Sequence, residues 1–114
     1  MGNDTPLFTS VDKRGIIVVC SEAQWKNHIV ASHPETEPLF NELKDTILDP
    51  DIIFKSDEYD DRDVYFRTIG PNDKQMKAVV HISQNFGEVI TAFPRKGVSG
   101  NIDTEVVRYA KPKL

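Results

Sequence analysis

His28 and His33 are the side chains of this chain best suited to moving protons near neutral pH, because imidazole alone titrates there without special help. Both lie in Ser21–Asp51, which also holds the only tryptophan. A separation of five residues is wrong for two metal ligands on one helical face, which stand three or four apart. With a single cysteine and no HExxH or paired-Cys motif, no protein-built metal site is expected and no cofactor is called for. As acid–base groups at a helix end beside a sheet edge, the two histidines fit better. A purely structural assignment competes with that one: His28 packing beside Trp25, and His33 capping its helix.

Arg67 is the next candidate, set in a strand between Phe66 and Thr68. A guanidinium there suits a phosphate through two parallel hydrogen bonds, or an ion pair with Glu88 or an acid of Ser56–Asp63. Thr91 interrupts the apolar run Val89-Ile90-Thr91-Ala92-Phe93 with a hydroxyl. Arg95 and Lys96 follow at the strand's exit, where two cations can meet an anion. His81 depends on hairpin register. An even loop pairs Thr91 with Val80; an odd one pairs it with Val79 and puts it on the face of His81. There is no Gly-rich phosphate loop and no GxSxG, and the acids at 57–63 read as a solvated loop.

The elements that must position these groups follow from periodicity. Leu7, Phe8 and Val11 begin a first strand that ends at the Asp12-Lys13-Arg14-Gly15 turn. Ile16–Cys20 is a β-branched run expected to be buried on both faces or beneath a helix. Cys20 at its end reads as a buried structural thiol. Ser21 and Gln24 form a capping box that starts a helix carrying Trp25, His28, Ile29 and Ser32 on one side, stopped by Pro34. Thr36 caps a second helix, with Leu39, Phe40, Leu43, Ile47 and Leu48 as its apolar stripe and Asp49-Pro50-Asp51 as its stop.

From Ile52 the period is two. Ile52–Phe54 and Val64–Ile69 are strands, the latter sending Val64, Phe66 and Thr68 one way and Tyr65, Arg67 and Ile69 the other. Lys77–Ser83 and Glu88–Phe93 form a hairpin, and Glu105–Tyr109 adds an edge strand. Met1–Thr5 and Lys111–Lys113 are expected to fray. The order predicts an α+β fold, with two N-terminal helices packed on an antiparallel sheet of about four strands. At 114 residues this is one domain, 1–114, with its core in about 16–96.

The 39% hydrophobic content is enough for a core without disulfides or metals. No apolar run is long enough to span a membrane and the first ten residues do not resemble a signal peptide, so a soluble, cytoplasmic protein is expected. A net charge of −4 excludes general affinity for nucleic acid or acidic membranes.

The combination of His28-Ile29, His33-Pro34-Glu35, Asp49-Pro50-Asp51-Ile52, the Tyr65–Arg67 strand, Val79-Val80 and Val89-Ile90-Thr91-Ala92-Phe93 resembles the phage-associated nuclease-like domains. These belong to the barnase–EndoU–colicin–RelE superfamily, and the likeness runs from about Ile16 to Lys96. It implies helices on a four-stranded antiparallel sheet and a metal-independent RNase, often a toxin, that forms a 2′,3′-cyclic phosphate. By position it implies His28 and His33 as the acid–base pair, Arg67 as the strand cation and Thr91 as the hydroxyl donor, with Arg95 and Lys96 near the phosphate. Ser32 stands where many such domains carry a basic residue. The implied partner is RNA or the ribosome. The alternative within the same fold is an inactive, antitoxin- or immunity-like module that docks a protein.

Overall fold

The computed structural model describes residues 5–112, so the expected fraying of residues 1–4 and Lys113 lies outside it, while Lys111, expected to fray, is tied to Asp51 through its amide and to Asp49 through its ammonium. The fold is α+β, but the sheet has seven strands rather than about four, in the order β1-β2-β6-β5-β4-β3-β7. These are β1 Pro6–Val11, β2 Ile17–Ser21, β3 Ile52–Ser56, β4 Arg62–Gly70, β5 Lys74–Ser83, β6 Phe86–Lys96 and β7 Ile102–Ala110. It is also mixed rather than antiparallel. β2 runs parallel to β6 over Ile17–Val19, because the helical segment after β2 carries the chain across the sheet before β3 begins. The extra strands come from both ends of the chain. The β1–β2 hairpin joins one side, and β7 pairs with β3 on the other.

Ile17 is 44% exposed while Val18 and Cys20 are fully buried, so β2 is covered on one face only, beneath the helical layer, the second of the two expected arrangements. Burial pushes the Cys20 thiol up to about 12, as befits a structural cysteine. The first helical run, residues 22–32, is α-helical at Glu22–Gln24 and Val30–Ser32 with a π-helical turn at Trp25–Ile29 between them. Ser21 Oγ accepts from the Gln24 amide at 3.0 Å, but the capping box is only half made. Gln24 turns its side chain away from Ser21 to donate to the Ile90 carbonyl.

A 3₁₀ segment, Pro34–Leu39, then leads into the second helix, Phe40–Leu48. Thr36 does not cap that helix. It is fully buried and its hydroxyl donates to the Ala92 carbonyl at 3.0 Å. Both bonds serve one need. β2 stops pairing with β6 at Glu88, and the later β6 carbonyls would otherwise be an open edge beneath the helices. Side chains of the helical layer finish the sheet there.

Trp25, Ile29, Leu43 and Ile47 press on Val18, Ile53, Tyr65, Met76, Ala78, Val80, Val89 and Ala92 to form the main core. Burying each of the larger aliphatic side chains contributes about 1.5–3 kcal/mol. Leu48, expected in that stripe, is 52% exposed, and Phe40 packs edge-on against Trp25 and Phe8 rather than forming a surface patch. A second, smaller cluster of Phe54, Val64 and Phe66, joined by Ile102 of β7, lies on the other face.

Asp63 is not part of a solvated loop. It is 5% exposed and accepts from Arg14 at 2.7 Å and from Arg108 at 3.3 Å. Arg14 also holds Asp12, whose carboxylate takes the Tyr65 hydroxyl at 2.6 Å. This network ties the β1–β2 turn to β4 and β7.

Candidate anion-binding site

The hairpin register decides which side chains meet. Gln84 and Asn85 make a tight turn with φ of 52° and 66°, and Ile90 is an extra residue bulged out between Val89 and Thr91. That one-residue shift pairs Thr91 with Val79, the partner expected of an odd loop, although the loop itself has two residues. Val64, Val79 and Thr91 therefore form one cross-strand rung on the face away from the helices, and Phe66, Lys77 and Phe93 form the next. The 57–61 and 97–101 loops rise beside these rungs. Together they enclose a pocket of about 150 Å³, lined by Thr91, Lys77, Phe93, Arg62, Tyr59 and Asn101 among others.

Lys77 is the core of the site. It is 3% exposed, its ammonium lies 5.5 Å from the Phe93 ring centroid, and Nζ donates to the Gly100 carbonyl at 2.7 Å. Burial holds its pKa below the ordinary lysine value, and the charge of Arg95 adds to that; Asp57 and Glu58 pull weakly the other way. Arg95 bonds Ser99 at 2.8 Å in the loop that covers Lys77. Gly100 lies between the two cations at a φ of +92°, a conformation that favours glycine. Arg62 lies over the Tyr59 ring at 3.9 Å, and its Nε is buried with no hydrogen-bond partner.

Among the described residues, none of Arg62, Lys77 and Arg95 has a carboxylate within ion-pair distance, whereas Arg14, Lys55, Arg67, Arg108 and Lys111 all do. Three cations without a direct ion pair thus stand in or beside one pocket, which Glu58 also lines, in a chain whose net charge is −4. Such a cluster repels itself, and an anion in the pocket relieves it.

The residues expected at a common site are divided by the fold. Thr91 is on the pocket floor. His33 does not line the pocket but adjoins it through Phe93, on which its ring is stacked at 4.4 Å, and its Nδ1 is 3.7 Å from a Glu35 carboxylate oxygen. Arg95 adjoins the pocket through Gly100, while Lys96 is exposed at the end of β6 opposite Lys74. His28 is exposed on the π-helical turn and does not line the pocket.

Arg67 is on the helix-covered face, in the rung of Met76, and is bound to Asp49 through its carbonyl at 2.7 Å and its carboxylate at 3.1 Å. One phosphate cannot touch both Arg67 and Thr91. His81 shares the face of Thr91 but bonds Asp61 at 2.9 Å. Lys77, Arg62 and Tyr59 escaped the sequence reading. Their signal was weak: Lys77 looks like a solvated position of an alternating strand, and the other two sit in or beside an acidic run.

Among the described residues, no group of three or more His, Cys, Asp or Glu side chains is placed to hold a metal ion, and no helix is long and apolar enough to cross a membrane. No family model, no curated protein and no solved structure matches this chain, so the site's own geometry must carry the functional reading.

Proposed function

We propose that this domain is a metal-independent ribonuclease whose phosphate site is the pocket of Lys77, Arg62 and Thr91. The observation that carries the reading is a pocket lined by Lys77 and Arg62, neither of which has an ion-pair partner among the described residues, with Arg95 beside it in an acidic chain. In the reaction, the RNA 2′-oxygen attacks the adjacent phosphorus and loses its proton to a base. The bond from phosphorus to the 5′-oxygen breaks as that oxygen gains a proton, leaving a 2′,3′-cyclic phosphate and a 5′-hydroxyl. His33, beside the pocket and 32% exposed in its side chain, supplies the proton-transferring imidazole. Lys77 and Arg62 neutralise charge on the five-coordinate phosphorus, and the Thr91 hydroxyl donates to one of its oxygens. Arg67 and His28 have no part in this chemistry. Arg67 instead joins β4 to the end of the second helix.

The test is cleavage of a labelled mixed-sequence RNA in EDTA by the wild type, His33→Ala and Thr91→Ala. The expected result is cyclic-phosphate ends from the wild type and a loss of about 10²–10⁴-fold in His33→Ala, the usual weight of general acid–base catalysis. Unchanged cleavage by His33→Ala, or 3′-hydroxyl ends, refutes the mechanism.

A protein-docking role is favoured by a different observation. Val11, Ile17 and Phe86 are cross-strand neighbours on the uncovered face, and each is more than 40% exposed. An apolar row at a sheet margin suits a partner surface. An inert protein that associates in light scattering, and no longer does so as Ile17→Lys, would support this second reading.

A further inference from the structure

We infer that the ligand of this pocket is single-stranded RNA, with the bases beside the bound phosphate stacked on two aromatic platforms, Tyr59–Arg62 and His33–Phe93. The inference rests on the ribonuclease reading and adds the substrate class. Tyr59 is 49% exposed and belongs to neither apolar cluster, so the core gives no reason for an aromatic ring in the Ser56–Asp63 run. The Arg62 guanidinium nevertheless lies over its ring, 3.9 Å from the centroid, and both side chains line the pocket. Phe93 lines the same pocket, and the His33 ring lies on it with planes 25° apart.

Two flat, partly open surfaces thus flank one cationic floor. That is how a protein holds unpaired nucleotides, whose bases are free to stack on aromatic rings and guanidinium planes. A duplex keeps its bases stacked inside and presents rows of phosphates instead. Asp57, Glu58, Asp60 and Asp61 in the pocket-side loop repel such a row, whereas one phosphate can enter at Lys77. A chain of net charge −4 would then take a nucleic acid through a single phosphate bound locally, with no broad basic surface.

The experiment is fluorescence-anisotropy titration at low salt with a labelled 2′-O-methyl RNA strand, which the proposed chemistry cannot cut. Its perfect duplex and a strand of equal length with abasic sites at its centre are titrated in parallel. Wild type, Tyr59→Ala and Tyr59→Trp are compared; Tyr59 is half exposed, so its replacement spares the core. The intact strand is expected to bind at least about tenfold more tightly than the duplex. Tyr59→Ala should weaken it by about 5- to 100-fold, the size of one base–aromatic stack, while Tyr59→Trp retains it. The abasic strand should bind weakly and be indifferent to Tyr59→Ala. Equal binding of duplex and strand, or wild-type affinity in Tyr59→Ala, overturns the stacking inference and leaves the phosphate site standing. Absence of binding by every strand overturns the ribonuclease reading with it.

Discussion

Replacing Lys77 by methionine separates the two consequences of burying an unpaired cation. Methionine keeps the unbranched stem between Phe66 and Phe93 and removes only the charge and its bond to Gly100. A hydrogen bond to a charged group is worth about 1.5–3 kcal/mol, so phosphate should bind about 10- to 100-fold more weakly. Inorganic phosphate at 100 times its wild-type dissociation constant adds about 2.7 kcal/mol to the wild type. At the same concentration Lys77→Met would gain only about 0.4–1.4 kcal/mol by the same relation. At about 4 °C per kcal/mol for a domain of this size, Tm should rise by about 11 °C in the wild type and by about 2–6 °C in the variant.

A second signature needs no ligand. The native pKa of Lys77 lies below its unfolded value, so between the two the unfolded chain binds more protons. The Lys77 contribution to stability therefore rises with pH across that window up to about 10.5, so wild-type stability relative to Lys77→Met should rise there. Differential scanning fluorimetry with and without phosphate, at several pH values, reads both effects. An equal phosphate shift in the two proteins would refute the assignment of Lys77 as the anion's partner.

Two predictions concern the frame that holds the pocket, and both are read by thermal unfolding. Thr36→Val leaves the Ala92 carbonyl without its donor in a buried position, which should cost about 1–3 kcal/mol. Gly87→Ala puts a methyl 2.8 Å from Val80 Cγ1 and 3.2 Å from Val18 Cγ2 where β2 meets β6. Overpacking of that kind costs about 1–3 kcal/mol, and a neutral result would mean that the parallel pairing is looser than described.

How much of this was legible in the sequence depends on the range of the interaction that decides each feature. Helix stops at Pro34 and Asp49-Pro50, the alternation of β4 and the β5–β6 hairpin are set by neighbours a few residues apart, and all were readable. The parallel β2–β6 pair was not, because nothing near Ile17 says that its partner is Phe86. Gln24 and Thr36 show the same limit. Each sits where a local cap is expected, yet each is drawn to a β6 carbonyl more than fifty residues away. An unpaired edge carbonyl under a helical layer costs more than a frayed helical turn open to water, so the distant bond wins.

The site was misread for a related reason. Arg67 and Lys77 both occupy mid-strand positions, and sequence favours Arg67 because guanidinium matches phosphate so well. Register puts them on opposite faces, and the residues that decide their roles come from elsewhere: Asp49 neutralises one, and Gly100 covers the other without neutralising it. A cation's neighbours, more than its own type, determine whether it is structural or available. Among the described residues the only group bonded to the Lys77 ammonium is a neutral carbonyl, and a carbonyl leaves the positive charge for a ligand to meet.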